Sequence, residues 1–214
     1  TQDYRNDTRV GDNILQQVSE AYRRIRNTAR YILGNIHDFD PARDSVAHAD
    51  LLPIDRWALS KLHGLAARVE KAYDDYEFHV LYHAVHNFCA VEMSAFYLDV
   101  LKDRLYTAPA KSVARRSAQT AMYAILDTLT RLMAPVLSFT ADEIWGYLPG
   151  ERETSVHLAG FPRLTAELAD AALEARFDQL FAVRSEVAKL LEQARTAKTI
   201  GSGLEAKLVL AAEA

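Results

Sequence analysis

The stretch from Glu77 to Leu105 constrains the fold more than any other part of this sequence. Its apolar residues follow no single stripe, and Phe78, Val85 and Phe96 fall at widely separated angles of a helix. A helix that is apolar on all sides is stable only when neighbouring elements surround it. The segment therefore predicts a central helix and, around it, a helix bundle.

Helical periodicity extends over almost all the rest of the chain. We predict further helices at about 12–33, 54–73, 112–133, 140–148 and 167–197, separated by turns rich in proline, glycine and aspartate. Lys207 to Leu210 has the pattern of a β-strand, and a single strand needs partners to be stable. The predicted fold class is all-α, an antiparallel helix bundle with a short C-terminal helix-plus-strand appendage. The bundle covers 1–163, and 164–214 is the start of an incomplete C-terminal junction.

The composition limits the compartment and the class of protein. The chain has 214 residues, half of them hydrophobic, which is enough for a sizeable core. A single cysteine, Cys89, provides no disulfide framework and favours a reducing, cytoplasmic environment. The chain contains no run of ~18 apolar residues, so the sequence predicts no membrane-spanning helix. The N-terminus has neither an initiating Met nor a signal-peptide pattern, which suggests a piece of a longer protein.

The segment Tyr22–Arg30 contains four arginines within a chain whose formal net charge is −4. On a helix, three of these arginines and one amide share one side, separate from the apolar stripe. An exposed row of guanidinium groups suits phosphate oxygens, because each group can donate two hydrogen bonds at once. The alternative is an ordinary solvated face whose arginines pair with nearby carboxylates. The residues on this side are Arg23, Arg26, Asn27 and Arg30.

A second basic block follows an acidic one. The formal charge is +2 over residues 1–34, −6 over 35–101, +4 over 102–131 and −4 over 132–214. Antiparallel helices could bring the two basic blocks side by side, and a localised basic surface is typical of a nucleic-acid interface. The second block contributes the candidate contacts Lys102, Arg104, Arg115, Arg116 and Gln119.

Three histidines, His79, His83 and His86, share one helical face and raise the alternative of a metal-binding bundle. A closed zinc site needs four ligands, and Cys89 lies well off that face, so we expect packed or groove-lining histidines without metal. No combination of nucleophile, base and oxyanion donor occurs. We therefore predict no catalytic residue and no metal site in this chain.

Several segments of the chain resemble the sequences of isoleucyl-tRNA synthetases, which are class I aminoacyl-tRNA synthetases. The match is specific and extends over essentially the whole chain. The segments that carry it are Tyr22–Arg30, Leu33–Asp40, Leu52–Leu59, Tyr76–His79, His86–Tyr106, Ser117–Gln119, Leu132–Trp145, Leu191–Arg195 and Ile200–Ala206.

This resemblance implies a fragment that contains the helical anticodon-binding domain and the start of a C-terminal junction. The two ATP-binding signatures of the family, its editing domain and its cysteine-bound zinc module are absent here. The implied parent is an isoleucine–tRNA ligase that uses ATP, with Mg and Zn expected only in that parent. The fragment is expected to bind and position the anticodon arm of tRNA next to the missing catalytic and editing domains, without being catalytic itself.

Two alternatives to tRNA binding remain at this point. One is the metal-binding bundle with the three histidines, and the other is a protein-interaction bundle whose arginines bind an acidic partner. The arginine face of Arg23 to Arg30 could also lie against the missing catalytic domain.

Overall fold

The computed structural model describes residues 3–5 and 10–211, and every regular element in these residues is helical. A π-helical segment, Phe88–Tyr97, joins the third and fourth α-helices into one long rod. The predicted all-α class is confirmed. No helix in the described ranges combines the length and the hydrophobicity that crossing a membrane requires. The α-helices are α1 (Asp12–Asn35), α2 (Pro53–Asp74), α3 (Phe78–Asn87), α4 (Leu98–Thr107), α5 (Val113–Met133), α6 (Ser138–Tyr147) and α7 (Ala171–Thr196).

The chain divides into two compact units, Thr1–Asp170 and Ala171–Ala214. The first unit contains α1 to α6 and a 3-10 turn, Ala166–Leu168, that packs on α2. The backbone N–H of Asp170 donates to the hydroxyl of Ser60 on α2, at 2.9 Å, and this bond holds the end of the first unit. The compact units divide at 170/171, and the domain boundary expected at 163/164 stays a prediction.

Two helices, α2 and α5, form the centre of the first unit. Trp57 and Leu62 of α2 and Ile125 and Leu129 of α5 are almost completely buried. The α3–α4 rod packs against α1, α2 and α5 with one side only, and Val91 remains 59% exposed. The expectation that this segment occupies the centre is therefore wrong. Its apolar pattern has no angular preference, so only the packing could show which side is covered.

The predicted loop between α1 and α2 is well packed in spite of its irregular backbone. Phe39 and Leu51 are buried within it. Pro41 lies against Gly150, where a Cβ would come within 2.6 Å of the Pro41 ring. Gly150 has φ +96°, in the left-handed region that glycine adopts most easily. The positive φ angle and the close approach of the Pro41 ring to the Gly150 backbone both favour glycine at this position.

The second unit consists of α7 and the short segment that follows it. Helix α7 ends at Thr196, and Lys198 takes a left-handed conformation with φ +56°. The backbone N–H of Gly201 then donates to the Glu205 carboxylate at 2.8 Å. Residues 206–211 have no regular secondary structure, so the predicted strand at Lys207 to Leu210 is not formed. A strand needs a hydrogen-bonded neighbour, and none is present among the described residues.

Candidate functional site

The residues predicted on the first basic face, Arg23, Arg26, Asn27 and Arg30, all lie exposed on one side of α1. Helix α1 turns its opposite side, including Ile25, toward the bundle. Because α1 is a continuous helix of 24 residues, this arginine face is a rigid surface rather than a loop. The structure thus brings these four residues together.

Two of these arginines have no partner among the residues that the structure describes. Arg23 forms an exposed ion pair with Glu20 one turn earlier, at 2.5 Å. Arg26 and Arg30 make neither a hydrogen bond nor an ion pair with any described residue. Exposed ion pairs contribute only about 0–1 kcal/mol, so the Arg23 guanidinium can exchange its partner easily. The arginine face is therefore available to an anion from outside.

The structure separates Lys102 from Arg104 in the second basic block. Lys102 is exposed and pairs with Asp99 on its own helix, at 2.7 Å. Arg104 instead points inward, and its Nη1 lies 3.0 Å from Oδ2 of the fully buried Asp55. A guanidinium in such a buried pair stabilises the bundle, because it supplies the opposite charge that the carboxylate needs.

Arg115, Arg116 and Gln119 of α5 fix the loop that follows α1. Arg115 donates to both oxygens of Asp38, and the Gln119 amide donates to Oδ1 at 2.7 Å. Arg116 donates to the carbonyl oxygen of Asp38 and approaches Asp44 at 3.4 Å. The Arg115 guanidinium, helped by Gln119, lowers the pKa of Asp38 to about 2. That these three residues contact RNA stays a prediction, whereas the structure shows directly that they hold the loop after α1.

A groove runs beside the arginine face, between α1 and α6. Its floor is apolar, because Ala29 and Ile144 are buried there. Its rims are polar, with guanidinium groups on α1 and the exposed Glu143 and Tyr147 on α6. No pattern in the sequence places α6 next to α1, so Glu143 and Tyr147 could not be predicted as neighbours of the arginine face. The lining residues are Arg26, Ala29, Arg30, Leu33, Thr140, Glu143, Ile144 and Tyr147.

Helix α6, which forms one side of this groove, is held by contacts with α1, α5 and the loop that follows α6. The guanidinium groups of Arg131 and Arg152 both lie over the Trp145 ring, with their Cζ atoms 5.3 and 4.8 Å from the ring centre. The hydroxyls of Thr140 and Tyr22 lie 3.0 Å apart and connect α6 to α1. Helix α6 begins at Ser138, two residues before the start predicted from the sequence, and Thr140 faces α1. The result is a firmly held helix that presents its exposed side chains at the groove.

The three histidines do not assemble a metal site. Among the described residues, no group of three His, Cys, Asp or Glu side chains could hold a metal ion. Tyr82 lies beside His83 and His86, with ring centres 5.0 and 6.1 Å away. His86 also lines a polar groove with Arg24, an exposed arginine on another side of α1 that the sequence analysis did not select. The metal-binding alternative gains no support.

The α3–α4 rod carries two further titratable groups, the buried Cys89 and the partly buried Glu92. Cys89 is fully buried, and burial raises the pKa of its thiol to about 12. Such a thiol is almost entirely protonated near neutral pH and is a poor nucleophile. Burial also raises the pKa of Glu92, a carboxylate that the nearby Lys61 stabilises in its charged form. Neither group belongs to an arrangement of nucleophile and base.

Comparison with known proteins gives a consistent result. The family model described as the anticodon-binding domain of tRNA ligase matches residues 55–210, and α1 precedes that match. The isoleucine–tRNA ligase of Syntrophotalea carbinolica is 65% identical over 213 residues, which are 100% of this chain and 23% of that protein. The enzyme of the same name from Geobacter sulfurreducens is 56% identical over 212 residues, 99% of this chain and 23% of the relative. That of Moorella thermoacetica is 52% identical over 210 residues, again 23% of its length.

Proposed function

The chain belongs to the family of anticodon-binding domains of tRNA ligases, and from that premise we propose that it binds the anticodon arm of an isoleucine-accepting tRNA through α1. The observation that carries the proposal is the arginine face, on which Arg26 and Arg30 are exposed and unpaired within the described residues. Alignment with the relatives includes α1, although the family match begins at residue 55.

The physical properties of the arginine face suit an RNA stem. The deep, narrow major groove of A-form RNA hides the base edges, so proteins bind its phosphates, 2′-hydroxyls and shape. A continuous helix of 24 residues with three guanidinium groups and the Asn27 amide can follow such a backbone. The net charge of the chain is −4, so the attraction has to come from this local surface.

For the parent protein we propose an isoleucine–tRNA ligase that attaches isoleucine to tRNA using ATP. This chain spans only 23% of the length of relatives that carry that name. Catalysis, ATP and Mg binding, and Zn binding are then properties of the other domains, and this domain positions the anticodon arm against them. A cytoplasmic location follows from this role in protein synthesis and agrees with the single cysteine.

A titration with the isolated anticodon stem-loop of isoleucine tRNA tests the binding proposal. Three guanidinium contacts predict that log K falls with log salt at a slope of roughly −2 to −3. Each charge-assisted hydrogen bond contributes about 1.5–3 kcal/mol, so Arg26→Ala with Arg30→Ala should weaken binding at least tenfold. Alanine favours a helix, so the double variant should remain folded.

The matched control removes two exposed arginines outside α1, Arg43 and Arg68, and so changes the net charge equally. This control should bind within about twofold of the parent, a difference of only ~0.4 kcal/mol. If both double variants lost the same affinity for the stem-loop, the attraction would be nonspecific and would not depend on the arginine face. Unchanged binding in the α1 variant would overturn the assignment of the arginine face.

The second candidate function is binding of an acidic protein partner by the same arginines. It has only the charge of the arginine face in its favour, whereas tRNA binding also has the family match. The alternative would be favoured if a glutamate-rich peptide displaced the stem-loop when its carboxylates were as concentrated as the RNA phosphates. Displacement by unlabelled stem-loop alone would favour tRNA.

A further inference from the structure

We propose that the groove between α1 and α6 holds one unpaired nucleotide of the bound RNA, with its base against Tyr147 and its phosphate toward Arg26 and Arg30. This inference rests on the proposed function and adds a specific subsite to it. It concerns the unpaired part of the anticodon arm, whereas the arginine face alone explains only attraction to a phosphate backbone.

The shape and polarity of the groove fit a nucleotide better than a phosphate alone. Its floor is apolar, formed by the buried Ala29 and Ile144 and the partly buried Leu33. A phosphate gains nothing from an apolar floor, because burial away from water disfavours its charge. A nucleobase has two apolar faces and polar edges, so it can cover this floor while its edges stay at the rims.

Tyr147 provides a flat surface at the rim of the groove. Its side chain is 72% exposed, unlike Trp145 of the same helix, which is buried. An exposed aromatic ring beside guanidinium groups is the usual arrangement by which proteins stack single-stranded bases. Because Trp145 and Thr140 anchor α6, little conformational freedom is lost when a base stacks on this helix.

The charges at the two rims determine which rim the phosphate faces and which rim the base faces. Arg26 and Arg30 on the α1 rim attract the phosphate, and Glu143 on the α6 rim repels it. The base therefore lies toward α6, next to a carboxylate that can accept hydrogen bonds. Adenine, cytosine and guanine carry an exocyclic amino donor, whereas uracil carries carbonyl oxygens at the corresponding positions. The groove should then prefer a base with an amino group over uracil.

Binding of two RNAs to the 214-residue chain tests this subsite. One is the stem-loop with a fluorescent 2-aminopurine in its loop, and the other is the same stem closed as a blunt duplex with an equal number of phosphates. Tyr147→Leu should weaken stem-loop binding about fivefold or more and leave duplex binding within about twofold. Stacking on Tyr147 should also quench 2-aminopurine, and Tyr147→Leu should abolish that quenching.

Two further variants make the test specific to the ring and to the groove. Tyr147→Phe retains the ring and should bind the stem-loop within about twofold of the parent. Phe139→Leu removes an aromatic ring that is 94% exposed on the same helix but outside the groove, and it should also have little effect. Glu143→Gln should reduce the preference for a loop cytidine over a loop uridine.

The outcomes separate this inference from the proposed function. Stem-loop binding that is unaffected by Tyr147→Leu, or affected equally by Phe139→Leu, would overturn the subsite and leave tRNA binding intact. Failure of the parent chain to bind either RNA at low salt would overturn the proposed function itself. Equal losses of stem-loop and duplex binding in Tyr147→Leu would also contradict the subsite, because a duplex has no unpaired base.

Discussion

The guanidinium of Arg115 binds the carboxylate of Asp38 with both of its terminal nitrogens, Nη1 at 2.6 Å from Oδ2 and Nη2 at 3.0 Å from Oδ1. This pair joins α5 to the loop that begins where α1 ends. Gln119 adds a hydrogen bond to the same carboxylate. The C-terminal end of α1 is thereby fixed, and with it the arginine face that α1 presents.

Removing the Asp38 charge should destabilise the first unit. The pKa of about 2 corresponds to roughly 2 kcal/mol of stabilisation, and the partial exposure of Asp38 reduces this to about 1–2 kcal/mol. Asp38→Asn should lower the free energy of unfolding in urea by that amount at pH 7. Asp40→Asn removes the partner of the exposed Arg43 in the same loop and should cost less than about 1 kcal/mol.

The same pair predicts a specific pH dependence. The pKa of Asp38 is lower in the folded chain than its ordinary value of 3.8, so its stabilisation is complete above about pH 4. That stabilisation should be lost as the pH falls from about 4 to about 2. Urea unfolding across this interval should show a smaller decline for Asp38→Asn than for the parent. Parallel profiles would contradict the bidentate pair.

Asp55 should be the most sensitive carboxylate of the bundle. It is fully buried, and it accepts hydrogen bonds from Tyr97 at 2.9 Å, Arg104 at 3.0 Å and Ser117 at 2.6 Å. Asp55→Ala should lower the free energy of unfolding by about 3–5 kcal/mol, because it leaves a partly buried guanidinium without its partner. Asp99→Ala, which removes the exposed partner of Lys102, should cost less than about 1 kcal/mol.

The Cys89 thiol should react only when the bundle opens. It is inaccessible to solvent, and its pKa of about 12 leaves very little thiolate at pH 8. A disulfide reagent such as dithionitrobenzoate should therefore modify the native chain at the rate of opening, and modification should accelerate steeply with urea. Immediate reaction of one thiol per chain in the absence of urea would show that Cys89 is not in the core.

The segment after Gly203–Glu205 should show no protection from hydrogen exchange. Residues 207–210 are exposed and carry no regular secondary structure. Their amides should exchange near the rate of an unstructured peptide. Amides of the buried helix α5 should exchange only when a large part of the bundle unfolds. Peptide-level exchange measured by mass spectrometry distinguishes these regions. Strong protection of 207–210 in a monomer would indicate a strand partner.

Much of the fold could be predicted from local chemistry. Apolar residues at helical spacing marked the helices, and Pro53 and Pro135 lie at or just beyond helix ends, where a missing backbone donor does least harm. The positions of Arg23, Arg26 and Arg30 on one side of α1 follow directly from 3.6 residues per turn. These properties depend on neighbours a few residues apart, which the sequence contains in full.

The sequence alone determined that the chain is helical, that α1 has an arginine face and that Cys89 lies among apolar neighbours. The tertiary structure decided which arginines are free: Arg115 and Arg116 meet carboxylates of a loop more than seventy residues away, whereas Arg26 and Arg30 meet none among the described residues. It also decided that Tyr147 and Glu143 stand across a groove from α1. The reason is that a charge or a ring acts through whatever lies within a few ångströms, and packing of distant segments sets those distances.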